Sequence, residues 1–215
     1  MKMKTAKQKT KLVDGSRTCY ECKGSSEGKR ENYTYAECGL KNVVLSQVLV
    51  YRCIRCGAQQ VEIPNMEGLH RTIALALLCK KGPLVGDEIR FLRSVAGHTS
   101  TALAKRLAVT KNALSRWEHG AKIGLASERA IRAVCGMDII GEIVNQQGGA
   151  VNPKDVNRTL QALQGFFAKL ADNSLMDFRG EGGDTEKLTI DPSKPFTFAS
   201  LPPLVMQESP TSVLQ

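Results

Sequence analysis

Gly97-His-Thr-Ser-Thr-Ala-Leu-Ala-Lys-Arg-Leu-Ala-Val-Thr-Lys-Asn-Ala-Leu-Ser-Arg-Trp-Glu-His-Gly120 decides the fold of the second half of this chain. Leu103, Ala104 and Leu107 recur at helical spacing and form the inner face of one short helix. Leu114 and Trp117 do the same for a second. Ala104 is small where two helices must cross closely, and Val109 fills the turn between them. Thr99 and Thr110 stand where a side-chain oxygen caps a helix N-terminus, and Gly120 stands where a helix stops. The pattern predicts a helix-turn-helix.

That arrangement leaves Thr110, Lys111, Asn112, Ser115 and Arg116 outward on the second helix, whose N-terminal half enters the DNA major groove in this motif. Asn bonds adenine N6/N7 in bidentate fashion, and Arg bonds guanine O6/N7. Asn112 and Arg116 are four residues apart, so they share one face and reach neighbouring base pairs together. Lys111 and Thr110 suit phosphate, as do Thr99, Ser100, Thr101 and Lys105 from the first helix. The competing reading is an ordinary solvated face, which carries most weight for Lys105, Lys111 and Ser115 taken singly. Trp117 is expected to pack rather than stack on a base, and Arg93 with Glu118 to pair across the domain.

Helical patterns continue on both sides, near Gly86–Ala96, Ser100–Ala108, Lys111–His119, Ser127–Val134 and Asp138–Gln147. Residues 84–147 are therefore expected to be an all-α, five-helix domain. Upstream, Met66, Leu69, Ile73, Leu77 and Leu78 recur at helical spacing and Gly82-Pro83 ends the run, giving a connecting helix within 65–83. Downstream, residues 148–171 hold one more amphipathic stretch, Asp155 to Ala171. Residues 172–215, rich in Gly, Pro and Ser, read as a disordered acidic tail. Residues 1–17 read as a disordered Lys-rich arm.

Residues 18–64 carry a different chemistry. Cys19-Tyr-Glu-Cys22 and Cys53-Ile-Arg-Cys56 are two tight cysteine pairs thirty residues apart. Two such pairs supply the four thiolates of a tetrahedral Zn²⁺ site with no open position, so the metal is expected to be structural. Gly57 follows the second pair, where the turn favours a left-handed residue. Cys22 is followed by Lys23-Gly24, with the glycine one position late. Val43–Arg52 is β-branched and apolar and reads as a strand, with Tyr33-Thr-Tyr as its hairpin partner. Cys38 has no partner at this spacing, and Cys79 and Cys135 lie on apolar helix faces. His70, His98 and His119 show no metal spacing. The expected class is α+β: a small zinc-ribbon-like β domain, then the helical domain, between disordered tails.

Seven cysteines with no disulfide framework and no secretory leader point to a reducing, cytoplasmic setting. The longest apolar run, Ile73–Leu78, is too short for a bilayer. The net charge is +9, and residues 172–215 hold seven acidic against three basic side chains, leaving +13 on the first 171. Basic charge concentrated on the folded part suggests a polyanion partner. No Ser/His/Asp, paired-carboxylate or open His-rich metal arrangement is discernible, so a binding protein is expected rather than an enzyme.

Glu88-Ile-Arg-x-x-Arg93, Gly97, Leu103-Ala104 and Ser115-Arg-Trp-Glu-x-Gly120 resemble the Xre/Cro repressor family. Two cysteine knuckles, a connecting helix and Asn112-Ala-Leu-Ser-Arg116 resemble the MqsA-type antitoxins, over about Cys19 to Gln147. The resemblance implies a homodimer on a palindromic operator, with structural zinc and with Asn112 and Arg116 at the bases. It also implies an N-terminal domain that holds a toxin, and repression of the pair's own operon. Ser100 departs from the wider repressor family, which often has a DNA-contacting Gln there. The competing expectation is a stand-alone regulator of the same build with no toxin.

Overall fold

A computed structural model describes residues 15–80, 82–146, 188–190 and 192. The chain is α+β: a curled sheet at the N-terminus, then five helices. The described residues divide into two compact units. One runs through Leu69 and takes in residues 188–190; the other begins at His70. The boundary falls inside the segment read as a connector, so the later part of that helix belongs with the helical unit.

In the first unit, β1 (Ser16–Thr18), β2 (Ser25–Thr34), β3 (Val43–Cys53) and β4 (Gln59–Glu62) pair antiparallel in that order. β3 supplies the core: Val43, Leu45, Val48 and Val50 are buried. Its alternate partner residues on β2 are mostly charged, and the inward positions there are Ser26 and Gly28. That is why β2 beyond Tyr33 and Thr34 showed no apolar alternation. Those two pair with Leu45 and Val44, as the hairpin reading expected. The sheet curls until its outer strands meet. Arg17 of β1 lies 4.6 Å above the Tyr51 ring and bonds Glu62 of β4 at 2.8 Å. Two expectations of disorder are corrected. Ser16 and Arg17, in the supposed arm, form part of β1. Leu188–Ile190, in the supposed tail, forms β5, parallel to β3. The rest of the arm and tail and the Asp155–Ala171 stretch lie outside the described residues.

The second unit holds most of α1 (Met66–Leu78) with α2 (Gly86–Val95), α3 (Ser100–Arg106), α4 (Lys111–Glu118) and α5 (Leu125–Gln146). The five helices expected over 84–147 are four. The last two predicted pieces are one helix running straight through Gly136. A mid-helix glycine costs about 1 kcal/mol, and the burial of Ile131, Cys135, Ile139 and Ile140 on either side of it outweighs that. On α1, Leu69, Ile73, Leu77 and Leu78 are buried as expected, whereas Met66 is exposed.

Buried ions lock this unit. Arg132 and Glu128 of α5 are both 0% exposed. Arg132 donates to Glu128 and to the carbonyls of Leu77 (3.0 Å), Leu78 (2.8 Å), Lys80 (3.2 Å) and Gly82 (2.8 Å). It thus caps the C-terminal end of α1, whose last carbonyls have no partner within their own helix. Glu128 accepts from the Leu84 amide at 2.9 Å. Glu88 accepts from the Val85 amide and from Lys80 Nζ, each at 2.9 Å. Arg106 and His98 both reach Asp138, tying α3 to α5.

The first residue of α2 packs on the end of α4. A Cβ on Gly86 would lie 2.7 Å from the Glu118 carbonyl oxygen and 2.8 Å from that of Trp117. Both obstacles are backbone, so Gly86→Ala is expected to cost about 1–3 kcal/mol through overpacking. A shift in the urea midpoint of the helical unit measures it; an unchanged midpoint would show that α2 slides freely over α4.

Candidate metal centre and candidate nucleic-acid interface

The two C-x-x-C segments are the β1–β2 and β3–β4 turns, and they have one shape. The Lys23 amide donates to the Cys19 carbonyl (3.1 Å), and the Gly57 amide to that of Cys53 (3.0 Å). The Cys19 amide bonds the Gly24 carbonyl at 2.8 Å, and Cys53 bonds Ala58 at 2.9 Å. Each turn needs a left-handed residue after its second cysteine: Gly57 at φ 75°, and Lys23 itself at φ 59°. The displaced glycine has a different task. A Cβ on Gly24 would sit 3.2 Å from Cys22 Sγ and 3.3 Å from Arg55 Cβ, so its absence lets one turn close on the other.

The curl of the sheet brings the turns together. The sulfurs of Cys19, Cys22, Cys53 and Cys56 lie within 4.8 Å of one another. Cys22 and Cys53 are 3.4 Å apart, and Cys19 and Cys56 are 3.7 Å apart. A tetrahedron with zinc–sulfur bonds of about 2.3 Å has edges of about 3.8 Å. The four ligands expected from the sequence therefore converge on a site that fits a metal ion such as zinc. Backbone amides face it: Gly24 N–H points to Cys22 Sγ and Arg55 N–H to Cys53 Sγ, both at 3.4 Å. The amides of Cys56 and then Arg55 hold the Cys53 thiol down to about 6, against its desolvation. Cys56 receives an amide bond from Ala58, but the neighbouring thiols outweigh it and push Cys56 up to about 12.

The other cysteines stand apart. Cys38 donates to the Tyr35 carbonyl at 3.0 Å, and burial raises its thiol. Cys135 is buried, which pushes it up to about 12. His70 packs edge-on against Phe91, and burial lowers its pKa. Tyr20 and Ile54 hold the same position in the two turns, directly after the first cysteine. They are 57% and 68% exposed. Their likeness appeared only once the turns were seen to be equivalent.

In the helical unit, Thr99 Oγ1 accepts from the Ala102 amide and Thr110 Oγ1 from the Ala113 amide, both at 3.1 Å. α3 and α4 therefore begin where the caps were expected. Ala108, at φ 54°, turns the chain between them, and the Val109 amide closes on the Ala104 carbonyl at 3.0 Å. Leu103, Ala104 and Leu114 are buried at the crossing, while Leu107, Val109 and Trp117 are half-buried. Glu118 pins α4 to α2, taking Arg93 Nε at 2.5 Å and Nη2 at 3.3 Å.

The outward face of this pair carries Thr101, Lys105, Thr110, Lys111, Asn112 and Arg116, all exposed, with Ser100 and Ser115 half-buried. No side-chain hydrogen bond or ion pair within the described residues engages Asn112 or Arg116. Lys122, four residues past the end of α4, is a further exposed cation close in sequence to this helix. No helix among the described residues is long and apolar enough to cross a membrane. No protein-family model, curated protein or solved structure matches the chain.

Proposed function

We propose that this chain is a sequence-specific DNA-binding repressor, with α3, its turn and α4 acting as a helix-turn-helix. The observation that carries the reading is the pair Asn112 and Arg116. Both side chains are exposed and free of partners among the described residues, one turn apart on a helix whose opposite side is fixed by Leu114 and Glu118. A helix held so firmly delivers both to base edges with little ordering left to do. Lys111, Thr110, Ser115, Ser100, Thr101 and Lys105 surround them as phosphate contacts. Two copies of the chain would read the two halves of a palindrome about one helical turn apart.

In the same reading the four cysteines hold a structural zinc ion, and the N-terminal unit is a zinc-ribbon-like module that binds protein. Tyr20 and Ile54, exposed at the equivalent position of the two turns, support a docking surface there. By their resemblance to the MqsA-type antitoxins, we read the partner as a toxin and the repressed genes as the pair's own operon, in the cytoplasm. Co-purification of a small toxin with the chain from its host tests that part. A chain that comes out alone and still represses is the stand-alone regulator.

For the DNA reading, Asn112→Ala and Arg116→Ala are each expected to cost about 1–3 kcal/mol on the preferred duplex and to flatten its preference. Lys111→Ala should weaken all duplexes alike and lower the salt slope by about one. Fluorescence anisotropy on a duplex selected from a random pool supplies both numbers. Equal losses on selected and random DNA would reassign Asn112 and Arg116 to the phosphates, and failure to select any duplex would end the proposal.

A further inference from the structure

β3 has two partners along one edge. Leu49–Arg52 pair with β4, and Val43–Leu45 pair with Leu188–Ile190 of β5. Between the two stretches lies an irregularity. Gln47 is left-handed (φ 54°), its amide bonds Asn32 Oδ1, and the β2 register shifts between Glu31 and Tyr33. A bulge bends its strand and ends regular pairing, so β4 stops short. The first residues of β3 would then offer bare amides and carbonyls beside fully buried Val43 and Leu45. An unpaired edge of that kind recruits another strand.

The chain fills it with three residues of its own, drawn from far along the sequence. Ser46 Oγ donates to the Ile190 carbonyl at 3.3 Å, across a separation of 144 residues. Ile190 is 9% exposed, and Pro192, with no amide to donate, stands just past the end of the strand. Three parallel ladder residues make a weak hold, and the loop that they close is long.

We propose that the Val43–Leu45 edge is a strand-acceptor site for an extended protein segment of apolar–polar–apolar pattern, with Leu188–Ile190 as its built-in competitor. A protein partner docks by adding its own strand, and β5 leaves as it does so. Main-chain bonds supply affinity, and the position that Ile190 now fills selects the side chain. Tethering keeps β5 at high local concentration, so a weak strand still guards the edge until a better one arrives. The inference does not rest on the DNA or toxin reading, since any extended segment of this chemistry would serve.

The test uses the full chain, its Ile190→Asp variant and a labelled peptide of residues 185–195. A carboxylate cannot be buried where Ile190 sits without a partner, so the variant's own strand is released. The peptide should bind the variant at least about tenfold tighter than the wild-type chain, the factor expected if the in-cis strand occupies about nine-tenths of molecules. A peptide carrying Ile190→Asp should bind neither. Amide exchange at Val43–Ser46 should speed up in the variant and slow again when the peptide is added. Equal peptide affinity for both chains, or unchanged exchange at 43–46, overturns the proposal. Should exchange rise across β2 and β4 as well, the same two readouts on Ile190→Ala decide in its place.

Discussion

Chelating the metal ion that the four sulfurs would hold, or replacing Cys53 with Ser, is expected to unfold the N-terminal unit while leaving the helical unit folded and the DNA binding proposed for it mostly intact. The reason is the place of the four sulfurs. They join the β1–β2 turn to the β3–β4 turn at one end of the sheet, and β1 and β4 are only three and four residues long. Without the metal, the sulfurs 3.4 and 3.7 Å apart would repel as thiolates or share protons, leaving the Arg17–Glu62 pair and the Ile54 amide bond to the Ser25 carbonyl to hold the turns together. A unit of about 55 residues is marginal on its own, and a structural zinc ion contributes on the order of 10 kcal/mol. Metal analysis should find one zinc per chain, and circular dichroism with chelator should report loss of the strands alone. A melting curve indifferent to chelator would show that the sheet stands without a metal. Loss of operator binding by a fragment of residues 70–147 would show that the units do not work separately.

Arg132→Leu is expected to be the most damaging single change in the helical unit, at about 3–5 kcal/mol. Removing the guanidinium takes a donor from the carbonyls of Leu77, Leu78, Lys80 and Gly82, of which the Leu78 carbonyl is buried and the Leu77 carbonyl keeps only the Lys80 amide. It also leaves the Glu128 carboxylate buried with only the Leu84 amide for company. Oε2 of Glu128 already has no hydrogen-bond partner among the described residues, so the site has no slack. Arg132→Lys keeps the charge but offers fewer directed donors, and should recover part of the loss. The double change Arg132→Leu with Glu128→Leu should also recover part. It removes the unpaired carboxylate, but the α1 carbonyls do not regain the guanidinium bonds. Urea titrations of the four chains measure these steps, and a loss below about 1 kcal/mol for Arg132→Leu would mean that water reaches those carbonyls.

Much of the helical unit was legible before any coordinates. Thr99 and Thr110 announced helix starts, because a cap acts on amides only two or three residues away. Leu103, Ala104 and Leu114 announced their burial by the helical period. The failures have equally definite causes. Ser127–Val134 and Asp138–Gln147 read as two helices, yet the packing of Cys135 and Ile139 carries α5 through Gly136 between them. The burial of Arg132 and Glu128 had no local cue, because nothing in their neighbourhood reveals carbonyls that arrive from 50 to 55 residues upstream.

In the sheet the division is sharper. The spacing of Cys19, Cys22, Cys53 and Cys56 picked out the candidate metal ligands by itself, since a knuckle is a property of four consecutive residues. The β-branched, apolar run of Val43 to Arg52 likewise marked out β3. Only the tertiary structure decided the rest. β2 is a strand because β3 pairs with it, not because Ser25–Thr34 prefers extension. The two knuckles meet because the sheet curls until Arg17 reaches Glu62. Lys23 adopts a left-handed turn that a glycine was expected to supply. Leu188–Ile190 is a strand because an edge 144 residues away lacked one. What the sequence determined is what neighbouring residues impose through spacing, capping and period. What the structure decided depends on hydrogen-bond partners that only folding brings within reach.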